Sequence, residues 1–143
     1  MTEIAVVYWS GTGNTKQMAE LVMEGVRSAG GLPTLFEASA FSADQMDAFD
    51  GVAFGCPAMG LECLEQMEFE PMFVSCEGKL RERKIGLFGS YGWGDGEWMR
   101  KWEARCVDAG VKFAGESVIT SGAPDSVTAE GCKELGRLLA GME

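Results

Sequence analysis

Apolar residues fall along this chain in two alternating rhythms. The first is a short, nearly unbroken run: IAVVYW at 4–9, LPTLFEA at 32–38, GVAFGCP at 51–57, KIGLFGS at 84–90 and VKFAGESVIT at 111–120. Such runs predict strands covered on both faces. Pro57 stops the third run and Gly115 interrupts the fifth. The second rhythm recurs every three or four residues and predicts helices. Met18, Leu21, Val22, Val26 and Ala29 line one face of 15–29, which ends at Gly30-Gly31. Ser42 is placed to cap a short helix, SADQMDAF. EQMEFEPMFVSC at 65–76 reads as a helix that Pro71 starts or kinks. Trp98, Trp102 and Cys106 share a face of 97–110. Cys132, Leu135, Leu138 and Leu139 form the buried stripe of 128–142.

Five strand segments alternating with about five helical ones predict an α/β domain, a parallel sheet with helices on both faces. The 143 residues suit one domain over 1–143, with no linker, repeat or low-complexity stretch. Ligands of such sheets bind at the carboxyl ends of the strands, where strand order reverses. Attention therefore falls on the loops after strands one, three and four.

Composition narrows the chemistry. No His is present, so the commonest metal ligand and general base are missing. A net charge of −10 argues against nucleic acid and for basic protein partners. No run approaches the roughly 18 apolar residues of a membrane span. The opening MTEIAVVYW is expected to be a strand and not a signal peptide. The five cysteines show no CxxC pair and are expected to be reduced thiols in a cytoplasm. Buried packing is the reading preferred for them, Cys56 and Cys63 included.

The first loop, SGTGNT at 10–15, is built for an anion. Gly11 and Gly13 let backbone N–H groups turn inward, Ser10, Thr12 and Thr15 supply hydroxyls, and Asn14 an amide. The helix that follows adds its N-terminal dipole. The triphosphate loop GxxxxGK[ST] does not fit this spacing, and the dinucleotide pattern GxGxxG fails because Lys16 replaces its third Gly. A plain strand-to-helix turn stays open on this loop alone.

The second loop, PAMGLE at 57–62, offers Met59 as a polarisable plate for a flat ring. Gly60 can take a positive φ, so a turn there can switch between types II and II′. Glu62 is a possible acceptor for a ring N–H, and a surface turn is the competing reading. The third loop, SYGWGDGEW at 90–98, surrounds Trp93 with glycines and presents its indole at the strand ends. Trp98 is expected in the core. Phosphate cradle, stacking Trp, Met–Gly turn and carboxylate together describe a planar heteroaromatic carrying one phosphate, and flavin mononucleotide (FMN) fits best.

YWSGTGNT, FEP at 69–71 and LFGSYGWGDG followed by WMR resemble the short-chain flavodoxins, most of all those of clostridia and related anaerobes. The resemblance runs from the first strand to the last helix. It implies a flavodoxin-like three-layer sandwich with strand order 2-1-3-4-5, a non-covalent FMN and one-electron transfer between redox proteins. Carried over by position, Ser10, Thr12, Asn14 and Thr15 hold the phosphate, with Gly11 and Gly13 shaping its loop. Met59 and Trp93 flank the ring, and Gly60 belongs to the turn whose carbonyl meets the flavin N5–H. Glu62 meets N3–H, while Ser90, Tyr91 and Gly92 line the pyrimidine side. Pro57 and Ala58 lead into the turn. Pro57 stands where relatives have Ser and Leu61 where they have Asp, so Leu61 is expected to alter the energetics of the turn.

No Arg or Lys lies within 10–15, so a bound phosphate keeps much of its charge. Glu62, Glu65, Asp95 and Glu97 are expected to add to that field. One charge at ~10 Å costs an anionic reduced flavin ~0.4–1.7 kcal/mol. The expectation is a monomeric low-potential carrier with a stabilised neutral semiquinone and no substrate turnover, serving redox partners with basic docking surfaces. An FMN-dependent quinone-type reductase is the alternative. A receiver domain is disfavoured because Ser10-Gly11 replaces the paired acids after strand one.

Overall fold

A computed structural model describes residues 2–141. Met1, at the start of the first predicted strand, and Met142, at the end of the last predicted helix, lie outside the described residues. Strands β1 (Glu3–Tyr8), β2 (Leu32–Glu37), β3 (Gly51–Gly55) and β4 (Lys84–Tyr91) lie parallel in the order β2-β1-β3-β4. The fifth strand is present in two pieces, β5 (Lys112–Phe113) and β6 (Val118–Ser121), both parallel to β4. Ile85 faces Phe113 and Phe88 faces Val118, so three steps along β4 match five along the edge. The extra residues bulge out around Gly115, as its position in the run predicts. The flavodoxin-like order 2-1-3-4-5 is thus the observed one.

Helices α1 (Asn14–Ser28) and α4 (Ser126–Gly141) cover one face, and α2 (Phe69–Glu77) and α3 (Glu97–Ala109) the other. The expected fifth helix, after Ser42, is a 3-10 segment, Ala43–Ala48. Ser42 and Gln45 close a reciprocal capping box on it. Alternate residues of each strand serve opposite faces, which is why the runs look continuously apolar. Ile4, Val6 and Phe88 pack with Met18, Val22 and Leu135, whereas Ala5, Val7 and Leu87 pack with Phe69, Phe73 and Trp102.

Helix α1 stops where the sequence says it should. Gly30, at φ 86°, turns left-handed, and Gly31 N–H reaches back to the Val26 carbonyl at 2.9 Å. Two other glycines set how closely α1 and α4 approach. A Cβ on Gly25 would overlap the Lys133 carbonyl, and one on Gly136 would overlap that of Val22. On the opposite face Arg105 of α3 pairs with Glu70 and Glu77 of α2 and lies 4.8 Å over the Phe73 ring.

Candidate functional site

Helix α2 starts later than its apolar spacing predicts, at Phe69 and not near Glu65. The reason lies in Glu65 itself. Its carboxylate accepts the backbone N–H groups of Met67, Glu68 and Phe69, each at 2.8 Å. Burial pushes this carboxyl up, but the three amide donors outweigh it and hold it below the ordinary range. Glu65 is therefore a buried, ionised cap that lines neither cavity of the cleft described below. Pro71 sits in the first turn of α2, where its missing N–H costs nothing.

The loop after β1 closes on its own hydroxyl. Ser10 Oγ accepts Gly13 N–H at 3.0 Å and Lys16 N–H at 3.3 Å. Gly13, at φ 99°, is the N-cap of α1, a conformation a side chain would oppose. Lys16 is exposed. Thr15 is buried and its hydroxyl lies 3.0 Å from Ser90 Oγ, joining the first loop to the end of β4.

The loop after β3 is tied to β4 as well, since Ala58 N–H donates to the Ser90 carbonyl at 3.0 Å. It then turns over Met59–Glu62, closed by Glu62 N–H on the Met59 carbonyl at 2.9 Å. Neither Gly60 nor Leu61 has a positive φ, so this turn is of type II or II′ in neither sense. The left-handed residue is Glu62, at φ 51°. Its Oε2 accepts Trp98 N–H at 2.9 Å, at the start of α3, which fastens the turn to the third loop. Trp98 is buried as expected and donates its indole N–H to the Cys56 carbonyl at 3.1 Å.

These ties leave a cleft in two adjoining cavities. One, of about 280 Å³, is lined by Ser10, Gly11, Thr12, Asn14, Thr15, Pro57, Ala58, Met59, Ser90, Tyr91 and Gly92. The other, of about 230 Å³, shares Ala58, Met59 and Gly92 and adds Gly60, Glu62 and Trp93. Of the sixteen residues the sequence points to, only Gly13 and Leu61 line neither. Gly13 shapes the loop from outside, and Leu61 stands exposed at the tip of the turn. Trp9 and Gly122 line the first cavity and escaped the motif reading. Trp9 looked like the last residue of a strand, and Gly122 carries no chemistry to mark it. A larger cavity, about 450 Å³, lies elsewhere between β6 and α4, and none of the sixteen lines it.

The donor set fits a phosphorylated planar ring. Ser10, Thr12, Asn14 and Thr15 bring hydroxyl and amide groups to one cavity, Trp93 lines the other, and Met59 lines both. Trp93 is 80% exposed, although a large aromatic gains most when covered. Around this edge Asp95 pairs with Arg100 at 3.0 Å and Glu97 with Lys101 at 3.2 Å. The acidic field is therefore weaker than a count of carboxylates implies. Cys56 is buried and packs at the end of β3, with its thiol pushed up by burial. Among the described residues no cluster of His, Cys, Asp and Glu is suited to a metal, and no helix is long and apolar enough to cross a membrane.

The Flavodoxin family model matches residues 6–136. The flavodoxin of Megasphaera elsdenii is 42% identical over 96% of this chain and 98% of its own length. That of Clostridium beijerinckii is 40% identical over 96% and 99%. The solution structure of two-electron reduced Megasphaera elsdenii flavodoxin superposes with a TM-score of 0.88 at 43% identity, covering 96% of this chain and 98% of that one. The cleft of loops after β1, β3 and β4 and the near full-length likeness to clostridial-type proteins agree: the chain belongs to the flavodoxin family, the FMN-binding carriers of electron transfer.

Proposed function

We propose that the cleft holds FMN with its phosphate in the 10–15 loop and its ring between Met59 and Trp93. The exposed Trp93 indole, facing a cavity it shares with Met59, carries this reading. Ser10, Thr12, Asn14 and Thr15 supply polar side chains to the phosphate, Gly11 lines the cleft beside them, and Gly13 shapes the loop from outside. Ser90, Tyr91 and Gly92 take the pyrimidine side, with Pro57 and Ala58 beside the tether. Glu62 spends one carboxylate oxygen on Trp98 N–H and keeps the other for the ring edge. FMN, when bound, supplies the redox chemistry. The protein binds it, orients it and sets how readily each electron is taken.

A single-domain, monomeric, cytoplasmic carrier that passes single electrons and turns over no substrate of its own accounts for these features. The phosphate is held without a Lys or Arg among 10–15, which disfavours a second negative charge on the flavin and favours a neutral semiquinone. The net charge of −10 suits partners with a basic face. The visible spectrum of the purified protein, with the mass of what dissociates on denaturation, tests the cofactor. Reductive titration at neutral pH should pass through a blue species as a major form. Direct two-electron reduction overturns the one-electron reading, and steady NAD(P)H oxidation by the isolated protein points to a reductase.

A further inference from the structure

Trp9 stands between two spaces of opposite character. One side of it lines the cofactor cleft with Ser10 and Thr12. The other lines a polar cavity of about 170 Å³ that contains Glu37 and Glu68. Its indole N–H donates to Glu68 Oε1 at 3.0 Å. Its ring lies against Gly11, where an added Cβ would stand 3.2 Å from the nearest ring carbon. Glu68 is itself fixed, since its backbone N–H donates to the buried Glu65 carboxylate at 2.8 Å. A continuous line of contacts thus runs from the cap of α2 through Glu68 and Trp9 to Gly11 of the anion loop.

A carboxylate near an anion-binding loop is electrostatically adverse, because it repels the phosphate. The hydrogen bond gives Glu68 a compensating role. We infer that Glu68 is a positioning residue for the cofactor, latching the Trp9 indole against Gly11 so that the 10–15 loop stays closed around its ligand. Without the latch the indole swings away, Gly11 loses its backing and the phosphate leaves sooner. The inference rests on FMN occupying the cleft.

Charge and latch separate in two substitutions. Glu68→Gln removes the charge and keeps an oxygen acceptor, whereas Glu68→Ala removes both. Glu37→Gln removes the other acidic charge of the same cavity without touching the indole bond. FMN release is followed by the recovery of flavin fluorescence. Glu68→Ala should release FMN about three- to tenfold faster than wild type, the scale of one ordinary hydrogen bond lost at a site open to water. Glu68→Gln and Glu37→Gln should hold FMN as well as wild type or better. The indole N–H resonance of Trp9 in FMN-free protein gives a readout independent of the cofactor. It should lose protection from exchange in Glu68→Ala and keep it in Glu68→Gln. Should Glu68→Ala fail to fold, Trp9→Phe, which keeps a ring and loses the donor, carries the test with the same expected release rate. Equal FMN retention in Glu68→Ala and Glu68→Gln, or an unchanged Trp9 resonance in Glu68→Ala, overturns the latch. If wild-type protein takes up no FMN, the cofactor reading fails on its own, and the resonance still reports on the latch.

Discussion

Leu61 and Trp93 show how much one side chain at the cleft can decide. Leu61 is 87% exposed at a turn whose central residues both have negative φ. Moving that turn to type II would force Leu61 itself to positive φ, whereas type II′ places the demand on Gly60, which tolerates it. The side chain at 61 therefore biases which way the peptide between them can swing. Leu61→Asp adds a charge near the ring edge and should lower the second one-electron potential by about 20–70 mV, read by potentiometric titration. Unchanged values for both potentials would remove Leu61 from the tuning of the flavin. With FMN placed as proposed, Trp93 is the larger contributor to binding. Covering its indole with a ring gains apolar burial and stacking, so Trp93→Ala should weaken FMN about ten- to a hundredfold by fluorescence titration, with the fold intact.

At the scale of elements, α2 depends on a residue outside it. Glu65 precedes the helix yet accepts its first N–H, that of Phe69, together with the N–H groups of Glu68 and Met67 that lead into it. Glu65→Ala leaves those donors without a partner and should cost about 2 kcal/mol in urea unfolding. The same contact gives acid sensitivity. The folded carboxyl is held below its unfolded value, so its stabilisation is complete above an unfolded pKa near ~4.3. It is lost as pH falls through the lower folded value. The stability gap between wild type and Glu65→Ala should therefore be constant from pH 7 to about 5 and shrink below about 4. A gap independent of pH would mean that the carboxylate charge plays no part in the cap.

Across the whole molecule, the cleft exists because loops from three strands meet above one edge of a sheet clamped between two helical layers. The clamp on one side is the close crossing of α1 and α4. Gly136→Ala places a methyl against the Val22 carbonyl, and two backbones must separate to admit it. A loss of about 2–3 kcal/mol in thermal or urea unfolding is expected, well above the effect of Ala for Gly at an open position of a helix. Since α1 begins at the anion loop, the same variant should also weaken FMN binding, which a purely local defect would leave unchanged.

Local periodicity carried the strands, most of the helices, the caps at Ser42 and Gly30 and the three loops of the cleft, because those features depend on neighbours a few residues apart. Gly11, Thr12 and Trp93 were legible for the same reason: their loops hold unusual chemistry within a short stretch. Long-range contacts settled the rest. Glu65 and Glu62 looked alike as acids beside a turn, yet one is buried under amide donors and the other reaches Trp98, 36 positions away. Trp9 read as the end of a strand until Glu68, 59 positions away, gave it a partner. The break in the edge strand was visible as Gly115, but its two registers exist only against β4. Residue type and spacing thus determine which elements form and where an anion and a flat ring can sit. Which carboxylate is free, which is a cap and which holds a wall of the cleft depends on distances between segments, and only packing the layers sets those.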